Sequence, residues 1–334
     1  MKYIIIFIII GLISLISSLV LTKILIKFLK NYGIVDIPCN RRSHVTTTPR
    51  GGGLVLVVIM MILFPISEYY MLGDFKNSNI LLHVFLPISL ISFWDDISHI
   101  AVPVRLLVHV ICSALAIMWW IHPYSVFHSQ IPLYIDFLIA LLCLLGWLNI
   151  YNFMDGIDGI TASETIHLSI TILAICFLNY DIILNVDIII IITTIILGWT
   201  AGFICFNWHP AKIFVGDVGS ISIGFLLGIC LISIAASSIT LFVSCVIASL
   251  YYIADGGLTI LIRLFKGEKI WQPHLQHFFQ KALKKGLSHS QVVKRIIICN
   301  FFLMLLSVYS LYYPIISITL AILVVSITLI RSII

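Results

Sequence analysis

The residues able to carry ionic chemistry in this 334-residue chain fall into five short polar stretches separated by long apolar runs. The densest holds Asn149, Asn152, Asp155, Gly156, Asp158 and Gly159. Asn149, Asn152 and Asp155 are three apart, so a helix running through them turns two amide oxygens and a carboxylate to one side. The Asp-Gly steps then break the helix and expose backbone amides, a nest for an anion beside a set of oxygen ligands. A second stretch holds Trp94, Asp95 and Asp96, with Arg105 at the start of the next run. Adjacent carboxylates repel one another unless a cation sits beside them. Magnesium, which takes hard oxygen ligands together with substrate phosphates, would supply that cation.

Two stretches join glycine to charge. Arg50 precedes Gly51, Gly52 and Gly53 at the start of an apolar run. There, glycine lets backbone N–H groups approach a phosphate at a helix N-terminus while Arg50 adds a fixed charge. Asn207, Trp208, His209 and Pro210 lead into Phe214, Gly216, Asp217, Gly219 and Ser220. Asp217 is placed as a magnesium ligand or as the cap of the helix that follows, and Phe214 as a stacking surface for a base. The last stretch carries His274 and His277, one helical turn apart and so able to engage one ligand, by donating to a diphosphate or by shuttling a proton. Phe278, Phe279 and Leu283 beside Lys281, Lys284 and Lys285 predict an amphipathic helix on the membrane surface.

The elements that must position these groups are helices in lipid. The chain is 61% hydrophobic and 10% charged, against about 25% charged for a soluble domain. Apolar runs of about 20 residues are long enough to span a bilayer. They recur near 3–24, 52–67, 80–93, 105–121, 132–150, 165–180, 187–206, 220–235, 238–257, 296–313 and 315–333. The expected fold class is therefore all-α, a polytopic membrane protein of about 11 transmembrane helices. It reads as a single integral-membrane domain over 1–334, with a long loop at 257–295. With the N-terminus outside, only Lys2 and Lys76 of the 19 lysines and arginines fall outside. The five chemical stretches share the positive face, which is cytoplasmic by the positive-inside rule. Seven of the eight cysteines sit in apolar runs and none forms a Cys-x-x-Cys pair, so no disulfide framework or zinc site is expected. The first run lacks a small-x-small cleavage site and reads as a retained span rather than a signal peptide. His83, His109, His167 and Asp136, isolated in apolar runs, are assigned to packing.

In this order the five stretches resemble the polyprenyl-phosphate N-acetylhexosamine-1-phosphate transferase family of the glycosyltransferase 4 type. That family includes phospho-N-acetylmuramoyl-pentapeptide transferase and the enzymes that start O-antigen and teichoic acid synthesis. The likeness spans residues 36 to about 285 and rests on Asp95-Asp96, the Asn149 to Gly159 block, and Phe214, Gly216, Asp217, Gly219 and Ser220. It implies a magnesium-dependent transfer, with manganese able to replace magnesium, of a sugar 1-phosphate from a UDP-sugar to a polyprenyl phosphate such as undecaprenyl phosphate, with release of UMP. It implies Asp217 as a metal ligand with Asn152 nearby, Asp95 or Asp96 readying the lipid phosphate, and Asp155 and Asp158 in the catalytic loop. Asn207 and Phe214 would meet the uridine, and His274 and His277 the sugar-diphosphate end.

The peptidoglycan branch carries adjacent histidines, whereas here two residues separate His274 from His277. The spacing is closer to branches that use small N-acetylated sugars, such as N-acetylglucosamine, N-acetylfucosamine or N-acetylquinovosamine, in O-antigen-like synthesis at the bacterial inner membrane. The expected partners are the lipid phosphate, the nucleotide sugar and membrane lipids, with no nucleic acid; a homodimer stays open. A transporter would place its acids near the bilayer midplane. A CDP-alcohol phosphatidyltransferase would continue Asp-Gly-x-x-Ala-Arg, where this chain has Ile157, Asp158, Gly159 and Ile160 after Gly156.

Overall fold

Lipid offers no hydrogen-bond partners, so a chain this apolar must satisfy its backbone within helices. The computed structural model describes residues 2–36, 47–98, 100–121, 125–127, 130–269 and 274–333. Arg41, Arg42 and His44, which precede the Arg50 stretch, and Pro273, which precedes His274, lie outside the described residues. In order, the elements are α1 (Lys2–Asn31), β1 (Val35–Asp36), β2 (Thr48–Pro49), α2 (Leu54–Leu72), α3 (Lys76–Ser98), α4 (Val102–Trp120) and α5 (Leu133–Phe153). They continue with α6 (Ile160–Leu178), α7 (Val186–Asn207), α8 (Asp217–Ala235), α9 (Ile239–Ala248), α10 (Leu250–Phe265), α11 (Phe278–Lys284), α12 (His289–Tyr309) and α13 (Pro314–Ile333). Among the described residues ten helices are long and apolar enough to span a membrane, and α9 with α10 makes an eleventh, bent by 70°. The chain is an all-α, multi-pass membrane protein.

α8 forms the axis, buried along nearly its whole length and packed by α3, α5, α6 and α9. α1 lies along α7, with the Ser14 and Ser18 hydroxyls donating to the carbonyls of Ile195 and Trp199 at 2.7 Å. A Cβ on Gly198 would meet the Gly11 carbonyl oxygen at 2.4 Å, so this crossing requires a small residue. The outer faces of α1 and α13 expose Ile8, Leu12, Ile16, Ile322 and Leu323, the surface that lipid must cover.

Two expectations shift. The ninth span is broken at Ser249 rather than straight, and α10 runs on to Phe265 because its apolar spacing continues past Gly256 and Gly257. The polar loop is correspondingly shorter than 257–295. The amphipathic helix is α11, but Phe278, Phe279 and Ala282 are buried against the protein instead of facing the bilayer. Asp255 of α10 draws it inward by accepting from the backbone N–H groups of Phe278 and Phe279 at 2.9 and 3.1 Å.

Candidate active site

The N-terminus of α8 is the centre of the site. Its first amides need an acceptor, and one arrives from another helix. Asp96, its side chain fully buried at the end of α3, accepts from the N–H groups of Asp217 and Val218 at 2.9 Å each. Gly216 makes room for it, with φ at +76° and a would-be Cβ only 2.7 Å from the Asp96 carboxylate. Arg50 joins this carboxylate to the next, with Nε 2.8 Å from Asp96 and Nη2 2.5 Å from Asp217. Burial opposes the Arg50 charge, but Asp217 and Asp96 outweigh it and lift the guanidinium above its ordinary range. Arg105 of α4 grips Asp95 and lies 3.5 Å from the other oxygen of Asp217. Asp217 thus sits between two guanidiniums.

Gly52 and Gly53 donate their N–H groups to the carbonyls of Phe214 and Val215 at 2.9 Å. Those two amides hold the loop rather than a phosphate, a correction to the sequence reading. The reason for glycine is proximity: a Cβ on Gly53 would fall 2.0 Å from the Gly219 Cα.

The opposite wall is the turn between α5 and α6. Asp155 accepts from the Thr161 hydroxyl at 2.6 Å. Burial, with Asp217 and Asp158 adding to it, raises the Asp155 carboxyl to about 6 despite Thr161 and Arg50. For Asp158, burial is outweighed by hydrogen bonds to His289 and His209, which hold its carboxyl below its usual range. The Nδ1 atoms of His209 and His289 lie 2.6 and 3.4 Å from Asp158 Oδ2. Buried Asn207 accepts from Gly159 N–H at 3.1 Å and donates to the Ile213 carbonyl at 3.0 Å. The Asp158 N–H lies 3.3 Å from His289 Nδ1. The anion nest expected at the Asp-Gly steps is therefore largely filled by side chains.

A third wall comes from the loop after α10. His277, 2% exposed, places Nδ1 3.2 Å from Asp255 and stacks on His274 with ring centres 4.8 Å apart. Burial, with His277 and Arg263 adding to it, lowers His274 to about 4, so it is neutral at physiological pH.

The walls enclose a cavity of about 280 Å³ lined by Arg50, Asn152, Asp155, Asp158, Asn207, Phe214 and Asp217. A smaller one, about 100 Å³, is lined by Arg105, His109, Asn149 and the apolar Val102, Leu106 and Phe153. Asn152 and Asp217 belong to both. Asn149 and Asn152 lie in α5 while Asp155 falls just beyond its end, so the trio splits between the two cavities. Asp95, Asp96, His274 and His277 line neither; they stand behind the walls and hold them. The carboxylates of Asp155 and Asp217 and the amide of Asn152 share one cavity, where burial above all, with neighbouring carboxylates adding to it, disfavours the ionised form of Asp155, a penalty that a cation would relieve. This oxygen donor set fits a hard divalent ion such as magnesium. Asp158, His209 and His289 form a second group, with ligand atoms all within 4.8 Å, of a softer kind.

Sequence reasoning passed over Asp255, His209, His289 and Gln280, and it assigned His109 to packing. Asp255 had a signal, an acid beside Gly256 and Gly257 inside an apolar run. His209 and His289 had none, because their partner is distant in the chain.

Comparison with known proteins places this geometry. The profile described as glycosyl transferase family 4 matches residues 78–235. A Bacillus subtilis (strain 168) protein named as a probable undecaprenyl-phosphate N-acetylglucosaminyl 1-phosphate transferase is 26% identical over 298 residues, which cover 86% of this chain and 80% of the relative. The phospho-N-acetylmuramoyl-pentapeptide-transferase of Chlamydia abortus is 31% identical over 188 residues, 55% of this chain and 52% of the relative. That of a Wolbachia sp. from Brugia malayi is 27% identical over 320 residues, 85% and 93%. The matched stretch runs from α3 into α8 and contains Asp95, Asp96, Asn152, Asp155, Asp158 and Asp217; over it the chain is similar to glycosyl transferase family 4.

Proposed function

We propose that this protein transfers an N-acetylhexosamine 1-phosphate from a UDP-sugar to undecaprenyl phosphate, releasing UMP, at the cytoplasmic face of a bacterial inner membrane, and so initiates an O-antigen-like envelope polysaccharide. The observation that carries this reading is the pair Asn152 and Asp217, shared between a polar cavity and one edged by the lipid-facing residues Val102 and Leu106. A soluble nucleotide and a membrane-held phosphate would meet there. The B. subtilis relative's name supports the same class of acceptor and sugar.

In the proposed step an oxygen of the lipid phosphate attacks the sugar-bearing phosphorus. The bond from that phosphorus to the bridging oxygen of UMP breaks, and UMP leaves with the electron pair. Phosphoryl transfer depends mainly on alignment and charge neutralisation. Arg105, in the smaller cavity, faces the incoming lipid phosphate, and Arg50, in the larger, faces the diphosphate. Phe214 offers a ring to the uracil, with Asn207 fixing the loop that presents it. Asp95 and Asp96 act by orienting Arg105, Arg50 and the start of α8. Asp217, with Asn152, would hold magnesium, which supplies charge neutralisation and alignment of the diphosphate when bound.

Purified protein, undecaprenyl phosphate, magnesium and a panel of labelled UDP-sugars test the reading. Label should enter the lipid phase from an N-acetylated hexosamine donor, and a modest excess of UMP should reverse it, since one pyrophosphate linkage replaces another. Asp217→Ala should lower turnover at least about 1,000-fold with the fold intact. Near-normal turnover in that variant would reject the assignment of Asp217.

A further inference from the structure

Outside the catalytic cavities, α12 and α13 run antiparallel and leave a groove of about 500 Å³ between them, larger than the polar cavity. Its walls are Ile298, Phe302, Val324 and Ile327, with Ile298, Phe302 and Ile327 between 45% and 60% exposed. Arg295 and Arg331 close one end. Arg295 lies in the second turn of α12 and Arg331 in the last turn of α13, so the two reach the same depth. That end of the bundle also bears the catalytic cavity, because His289, the first residue of α12, touches Asp158.

Neither arginine pairs with a carboxylate among the described residues, and α12 and α13 contain no acid. One Arg295 N–H reaches the Arg331 carbonyl at 3.4 Å, which draws the guanidinium over the groove mouth. Five donors in a planar fork match a phosphate far better than a single carbonyl. A head with two cations above an apolar channel selects a ligand with an anionic phosphate at one end and hydrocarbon at the other. Basic pockets between helices on the cytoplasmic side are known binding places for acidic headgroups.

We propose that this groove binds an anionic diacyl phospholipid, with its phosphate between Arg295 and Arg331 and an acyl chain along Ile298, Phe302, Val324 and Ile327. No residue of the groove lines either catalytic cavity, so the bound lipid is a resident rather than the substrate.

The test uses the purified full chain and native mass spectrometry of lipid retained from mixed micelles of phosphatidylglycerol and phosphatidylcholine. At about 1 kcal/mol for each basic residue near an acidic headgroup, two arginines give about a thirtyfold preference for phosphatidylglycerol. Arg295→Gln with Arg331→Gln should bring that ratio close to one while leaving sugar-phosphate transfer in detergent unchanged, and the paired lysine replacements should keep most of it. Lys27→Gln with Lys30→Gln, exposed on α1, should leave the ratio alone; an equal fall in that variant would mean general surface attraction and overturn the proposal. So would equal retention of both lipids by the wild type, displacement by undecaprenyl phosphate at equal concentration, displacement by soluble glycerol phosphate, or loss of a dimer in the arginine variant, which would give the groove to a second copy.

Discussion

The polar cavity has two walls that neutralise their acids differently. Along α8, Asp95, Asp96 and Asp217 are held by Arg50 and Arg105, which bring obligatory charge and a rigid fork. Across the cavity, Asp158 is held by His209, His289 and the Ala211 N–H, and Asp255 by His277 and two backbone amides. Imidazoles and amides supply directed donors, and their surroundings decide whether any charge comes with them. The arginine wall therefore makes an electrostatic field, while the histidine wall fixes shape. The proposed transfer between phosphates would draw on the first, and the choice of sugar on the second.

The largest effect should come from the arginine wall. Asp96→Ala removes the acceptor for two α8 amides and a part-buried guanidinium, costing about 3 kcal/mol of stability. It should also cost at least about 100-fold in turnover, read by thermal unfolding and initial rates. Asp158→Ala should cost about 1–2 kcal/mol, since half-exposed His209 can turn to water. If Asp158→Ala proves the more damaging, the contrast between the walls fails.

Arg105→Gln sharpens the comparison from one side. The lipid phosphate KM should rise about tenfold while the nucleotide KM stays within about twofold. Parallel rises in both would place Arg105 at the nucleotide instead.

The smallest effect concerns Asp155 and pH. Its carboxyl is raised to about 6 in the folded protein, so the fold binds an extra proton between about pH 4 and 6. Stability should fall as pH rises through that window and stay lower above it. Asp155→Asn keeps an acceptor for Thr161 but cannot ionise, so its melting temperature relative to wild type should be higher at pH 7 than at pH 4.5. A constant difference across that range counts against a raised carboxyl at Asp155.

Much of this was legible in the chain itself. Eleven apolar runs located the helices, because length and hydropathy are local properties. The Asp217, Asp155 and Arg50 stretches announced themselves because charge is scarce in such a sequence. What could not be read was pairing across distance. Nothing near Asp96 says that it caps a helix starting at 217, and nothing near His289 says that it meets Asp158. The glycines after Arg50 misled because close backbone packing and phosphate binding both call for glycine. The break at Ser249 lacks proline or glycine, and although Asp255 stands out beside Gly256 and Gly257, nothing near it names α11 as its partner.

That break also governs what the third wall is fastened to. Beyond Ser249, α10 turns 70° away from α9 and shows Leu258, Leu261, Leu264 and Phe265 outward, the last 87% exposed. Such a face settles at the boundary between hydrocarbon and headgroups. Asp255 lies on the same helix, so α11, with Leu275 and Gln280 at the cavity edge, is fastened to that apolar helix. The position of that wall is therefore tied to the depth at which α10 meets the lipid.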